Sequence, residues 1–74
     1  MTNKAVAAAW GRGWTAAAGH FHTDGKNLYS YALCVGYTDE DGLKVLKDYR
    51  RQISVTTSRH CGLAVLVADK IEPV

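Results

Sequence analysis

The sequence predicts a small α+β domain: an antiparallel three-stranded meander, a C-terminal helix over one face, and a short N-terminal helix or strand beside them. Three observations carry this. Two Asp-Gly turns, at Asp24-Gly25 and Asp41-Gly42, bracket a long run of large and small residues in alternation. A hydroxyl cluster, Thr56-Thr57-Ser58, directly precedes an apolar run, which is an N-terminal helix signal. The length, 74 residues, allows one domain over 1–74 and one modest core.

The first segment, Asn3 to Trp10, is rich in alanine. Ala5, Ala7, Ala8 and Ala9 favour helix, Asn3 is a candidate cap, and Gly11-Arg12-Gly13 is a stop. A strand with Val6 and Trp10 on one face is the competing reading. Trp14 to Phe21 reads as extended, and Thr23-Asp24-Gly25-Lys26 as a turn.

From Leu28 to Tyr37 two sets alternate. Tyr29, Tyr31, Leu33, Val35 and Tyr37 are bulky, whereas Leu28, Ser30, Ala32, Cys34 and Gly36 are mostly small. The pattern predicts one strand whose small face accepts a closely packed neighbour. After the turn at 38–42, Leu43 to Tyr49 reads as the next strand, with a helix the competing reading because Lys and Leu are good helix formers. Leu43, Val45 and Tyr49 share a face, with Lys44 and Lys47 shading the other side or an edge.

The last element, Thr56 to Lys70, reads as a helix capped by Thr56 or Thr57. Its stripe is Leu63, Leu66, Val67 and Lys70, or His60, Leu63, Val67 and Ile71. Gly62 and the valines leave a buried strand over 63–68 as the alternative.

Composition narrows function. Hydrophobic residues make up 47% and charged residues 22%, a globular balance rather than a disordered one. No stretch of 18 apolar residues offers a membrane span, and no leader pattern opens the chain. Cys34 and Cys61 then read as reduced, buried thiols of a cytoplasmic protein.

Constellations with chemistry are sparse. His20 and His22 point the same way on a strand, but with His60 and a cysteine they match no common zinc spacing, so no metal is expected. His60 and Cys61 are helix neighbours about 100° apart, which denies them a nucleophile–base geometry. A thiolate at Cys61 would gain from a helix first turn. Gly11-Arg12-Gly13 lacks the strand and the Lys-Ser/Thr of a phosphate loop. No enzyme and no cofactor are expected.

Two binding readings remain. Trp10, Trp14, Tyr29, Tyr31 and Tyr37 are many rings for so thin a core, which leaves some of them exposed; Trp14, Tyr29, Tyr31, Tyr37 and Tyr49 are the candidates to meet a protein partner. Lys44, Lys47, Arg50, Arg51 and Arg59 form a basic segment over 44–59 that suits phosphate contacts. The helix start at Thr56-Thr57-Ser58-Arg59-His60 is either an anion site or a cap. A second copy of the chain is a further candidate partner, because small domains gain stability by association.

Taken together, Gly19 with Thr23-Asp24-Gly25, then Leu28-Tyr29-Ser30-Tyr31, then Ser54-Val55-Thr56-Thr57-Ser58-Arg59-His60 form a G-x-x-x-T-D-G, L-x-S-Y, S-x-T-T-S-x-H series. This resembles a family of small uncharacterised phage, prophage and archaeal mobile-element proteins, over about residues 5 to 62. Val35-Gly36 departs from that family's usual Ile-Ala. The resemblance implies a mobile-element origin, a cytoplasmic place in the host cell and no particular activity. The expectation is a non-enzymatic phage protein that binds a host protein or protein complex. Its most concrete form is an anti-CRISPR-like inhibitor of host defence that acts by steric occlusion. The alternative is a small nucleic-acid-binding module.

Overall fold

The structure is a computed structural model that describes residues 1–50 and 54–74. It is α+β, with helix α1 (Asn3–Arg12), strands β1 (Thr15–Ala18), β2 (Phe21–Asp24), β3 (Leu28–Ser30), β4 (Leu33–Thr38) and β5 (Lys44–Asp48), helix α2 (Val55–Val65) and strand β6 (Lys70–Pro73). The three-stranded meander is thus a correction: one six-stranded mixed sheet runs in the order β1-β2-β3-β4-β5-β6.

The alanine-rich segment is the helix, not the strand. Its cap is Thr2 rather than Asn3: the Thr2 hydroxyl accepts from the Ala5 N–H at 3.1 Å. Gly13 ends it in the left-handed conformation, φ 78°, with its N–H returned to the carbonyls of Ala9 and Trp10. Trp10 carries this helix into the core. Its ring is fully buried and its Nε1–H donates to the Lys26 carbonyl at 3.2 Å. Gly36 lies beneath the ring, and a Cβ there would come within 2.7 Å of Trp10 Cζ2. Gly36 thus makes the close contact expected of the small set, but the set does not share one face: Leu33 and Val35 of the bulky set pack with the core, and Cys34 pairs with Tyr29 on the other face.

Two expected strands are each two. The stretch 14–21 folds back through Gly19, so that β1 pairs antiparallel with β2 and Ala18 faces Phe21. The run from Leu28 to Tyr37 breaks at Tyr31-Ala32, and Ser30 pairs with Leu33 across a two-residue turn. Alternation alone could not show this break, because Tyr31 is a bulky residue at φ 57°, where turn glycines normally sit. A register shift between β3 and β4 then inserts Val35, which is fully buried.

β5 and β6 are parallel, and α2 is the crossover between them. The expected helix therefore stops at Val65, and residues 70–73 form a strand. The cap is Ser54, not Thr56 or Thr57; its hydroxyl accepts from the Thr57 N–H at 3.1 Å. The buried stripe is Thr57, His60, Cys61 and Ala64; it shares only His60 with the second expected stripe and nothing with the first. Both helices lie on the same side of the sheet, where Val6, Trp10, Phe21, Leu28, Val35, Leu46, Cys61 and Ala64 form the core. Among the described residues nothing covers the other face.

Candidate interaction surface

The turn at Asp24-Gly25-Lys26-Asn27 sets the registers on which the surface depends. Asp24 Oδ1 accepts from the N–H groups of Lys26 and Asn27 at 2.9 and 2.7 Å. These bonds hold the Asp24 carboxyl below its ordinary range. Thr23 Oγ1 donates to the Asn27 carbonyl at 2.7 Å and accepts from the Gly25 N–H at 3.0 Å. Gly25 sits at φ 96°, and a Cβ there would meet the Gly13 carbonyl oxygen at 2.6 Å. Side chains and backbone thus leave this turn one geometry.

That geometry places His22 opposite Tyr29 and Phe21 opposite Ser30. One step further, the Tyr31 N–H donates to the His20 carbonyl at 2.7 Å. Two imidazole–phenol stacks result. His22 lies on Tyr29 at 5.1 Å between ring centroids on the uncovered sheet face, and His20 lies on Tyr31 at 4.4 Å beyond the strand ends. The planes are 16° apart in each stack. His20 and Tyr31 are exposed, Tyr31 by 45%; His22 and Tyr29 are half-buried. The rings are fixed before any partner arrives, so little rotamer entropy remains to be lost on binding.

Behind the stacks lies a closed polar chain. Ser54 Oγ donates to Thr57 Oγ1 at 3.2 Å, Thr57 and Ser30 hydroxyls meet at 3.1 Å, and Ser30 Oγ shares a 2.7 Å hydrogen bond with His60 Nδ1. Phe21 stacks on His60 at 4.3 Å. Burial, aided by nearby His20, pushes the His60 imidazole below its ordinary pKa. A serine against an imidazole has the geometry of a nucleophile and base. Here Ser30 is 1% and His60 3% exposed, and Thr57 occupies the second side of the hydroxyl. The bonds tie α2 to β3. Thr57 and His60 are therefore sheet contacts, and the anion-site reading of the helix start loses them.

The expected basic segment is dispersed. Lys44 is not on the surface: it is buried, and its ammonium donates to the Gly25 carbonyl at 2.7 Å and to Thr38 Oγ1 at 2.6 Å. It lies 5.9 Å from the Trp10 ring centroid, and burial pulls its pKa down against the pull of Asp69 and Asp24. Lys47 is on the opposite face of β5, over Tyr37 at 5.8 Å. Arg50 grips both oxygens of Asp48, at 2.8 and 3.0 Å. Arg59 is exposed on α2, and Arg51 lies outside the described residues.

The expected rings also divide. Tyr29 and Tyr37 are on the uncovered face, Tyr37 with its hydroxyl donating to Glu72 at 2.6 Å. Tyr49 packs against the core. Trp14, 59% exposed, stands apart after α1 with the Arg12 guanidinium 5.1 Å from its ring. Cys34 is half-buried and Cys61 fully buried; burial raises the Cys61 thiol, which opposes the thiolate reading. Among the described residues no His, Cys, Asp and Glu group could hold a metal ion, and no helix is long and apolar enough to cross a membrane.

His20 and His22 entered the sequence reading only as weak metal candidates. The turn read from the sequence, Thr23 to Lys26, would face His20 with Tyr29; β2 instead runs to Asp24 and the hairpin is centred between Gly25 and Lys26, which pairs His22 with Tyr29 and sets His20 by Tyr31.

Fold and surface together define a small α+β domain with one helix-covered and one uncovered sheet face. Comparison of the chain with protein-family models, with curated proteins and with solved structures finds no match to any of them.

Proposed function

We propose that the protein is a non-enzymatic binding module whose two His–Tyr stacks dock a protein partner. The observation that carries this is the pair of stacks, His22–Tyr29 on β2 and β3 and His20–Tyr31 just beyond their ends, the latter at a tyrosine held in a glycine-like conformation. Strain of about 1–3 kcal/mol at an exposed bulky residue persists where the surroundings enforce it, and such residues cluster at binding sites. Tyrosine rings also rank among the strongest contributors to protein interfaces.

Charge favours protein over nucleic acid. The uncovered face mixes Lys47 and Lys70 with Asp24 and Glu72, so it offers no uniform positive field to a phosphate backbone. Burial of Lys44 and pairing of Arg50 with Asp48 weaken the basic-segment reading further. The sequence resemblance to phage and mobile-element proteins points to a partner in an infected host cell. Occlusion of a host defence complex is the most concrete form of that reading.

The test is capture from host lysate on immobilised protein, wild type against the H22S/Y29S variant. The expected result is a host protein retained by the wild type and at least tenfold depleted on the variant. Equal retention on both, or no retained protein, defeats the proposal. A salt-sensitive shift of an oligonucleotide by the wild type would move the reading to nucleic acid.

A further inference from the structure

β6 closes one end of the sheet with all four of its residues exposed, and among the described residues no strand pairs with its outer side. A parallel ladder to β5 occupies only part of the β6 backbone hydrogen-bonding capacity, which leaves donors and acceptors along the outer edge. Exposed edges are ordinarily blunted by charge, by proline or by shortness; this short edge carries Pro73 and two charges, but the charges are of opposite sign. Register with β5 places Lys70 and Glu72 with Val45 and Lys47 on the uncovered face, and Ile71 with Leu46 on the helix-covered face. Ile71 is 42% exposed, and Leu66, at the end of α2, is 77% exposed.

We propose that this edge pairs antiparallel with the same edge of a second copy of the chain, with Ile71 on the two-fold axis. The sequence Lys70-Ile71-Glu72 is self-complementary in that register alone. Lys70 falls opposite Glu72 of the second copy twice over, on the uncovered face, and Ile71 falls opposite its own counterpart on the other. A slip of two residues in either direction, the smallest that keeps the faces together, centres the axis on Lys70 or on Glu72 and brings like charges together. Pro73 has no N–H to give and ends the pairing beyond Glu72. Within one copy Lys70 meets Asp39 at 3.4 Å and the Tyr37 hydroxyl donates to one Glu72 oxygen; both contacts are exposed, and the pairing exchanges Asp39 for Glu72 of the second copy at Lys70. Pairing doubles the sheet to twelve strands and puts two copies of the His–Tyr surface on one assembly. It does not depend on what that surface binds.

The experiment is sedimentation equilibrium across a wide concentration range on the wild type, K70E, E72K and an equimolar K70E and E72K mixture. The wild type should show a reversible monomer–dimer equilibrium. Each single reversal should weaken it about tenfold, because two opposite-charge pairs become two like-charge pairs. The mixture should recover it as a heterodimer, since the wholly acidic edge of the K70E chain then faces the wholly basic edge of the E72K chain. Recovery also shows that both variants are folded. I71C in a C34S background should give a disulfide-linked dimer on non-reducing gels. A wild type that stays monomeric at the highest concentration overturns the proposal. So do reversals that leave the dimer unchanged, and a mixture no tighter than its components.

Discussion

Removing one oxygen, at Ser30, tests whether the buried polar chain holds α2 on the sheet. In Ser30→Ala the Nδ1 of His60 loses its 2.7 Å partner in a place where the residue is 3% exposed. Thr57 keeps its contact with Ser54 at 3.2 Å, so one group rather than two is stranded. A buried polar group left unsatisfied costs about 1–3 kcal/mol, which makes about 2 kcal/mol the expected loss. In a domain of this length that lowers Tm by about 10 °C. Urea denaturation followed by circular dichroism should show the midpoint falling with its slope unchanged. The double variant S30A/H60F removes both polar partners and keeps a ring against Phe21, so it should recover most of the loss. A coupling of at least about 1 kcal/mol is expected from the cycle. If S30A costs less than about 0.5 kcal/mol, or the two substitutions add, the chain is not what joins helix to sheet.

Two further predictions concern the same core. Gly36→Ala should destabilise by about 1–3 kcal/mol in the same assay, because the new methyl group meets the Trp10 ring at 2.7 Å and Leu28 Cβ at 3.3 Å. Stability should also fall as pH drops below 6.5, the ordinary histidine value from which His60 is lowered on folding. In that window the unfolded chain binds a proton that the folded chain refuses; stability is thus full above 6.5 and declines beneath it, and His60→Phe should remove that component of the slope.

Local chemistry made several parts legible in the sequence. The alanines of α1, the turn at Asp24-Gly25, the hydroxyls ahead of α2 and the space at Gly36 each have a short-range or steric cause. Their outcomes matched to within a residue or two, with Thr2 and Ser54 replacing their neighbours as caps. The break at Tyr31 was hidden, because the alternating pattern continues through it and the residue is not one that turns favour. Lys44 was hidden for a related reason: a lysine in a strand reads as exposed unless the Gly25 carbonyl and Thr38 hydroxyl that accept its protons are known to be adjacent.

By itself, then, the chain's order of residues showed the turns at Asp24-Gly25 and Asp41-Gly42, the start of α2 to within a few residues and the class of fold, since those depend largely on neighbours within four or five positions. Only the tertiary structure decided that β6 joins β5 in parallel, that Ser30 meets His60 thirty residues away, and that both helices cover the same face of a six-stranded sheet, leaving the other uncovered among the described residues. Such contacts are selected by burial and hydrogen-bond satisfaction over the whole molecule, and no local pattern encodes them.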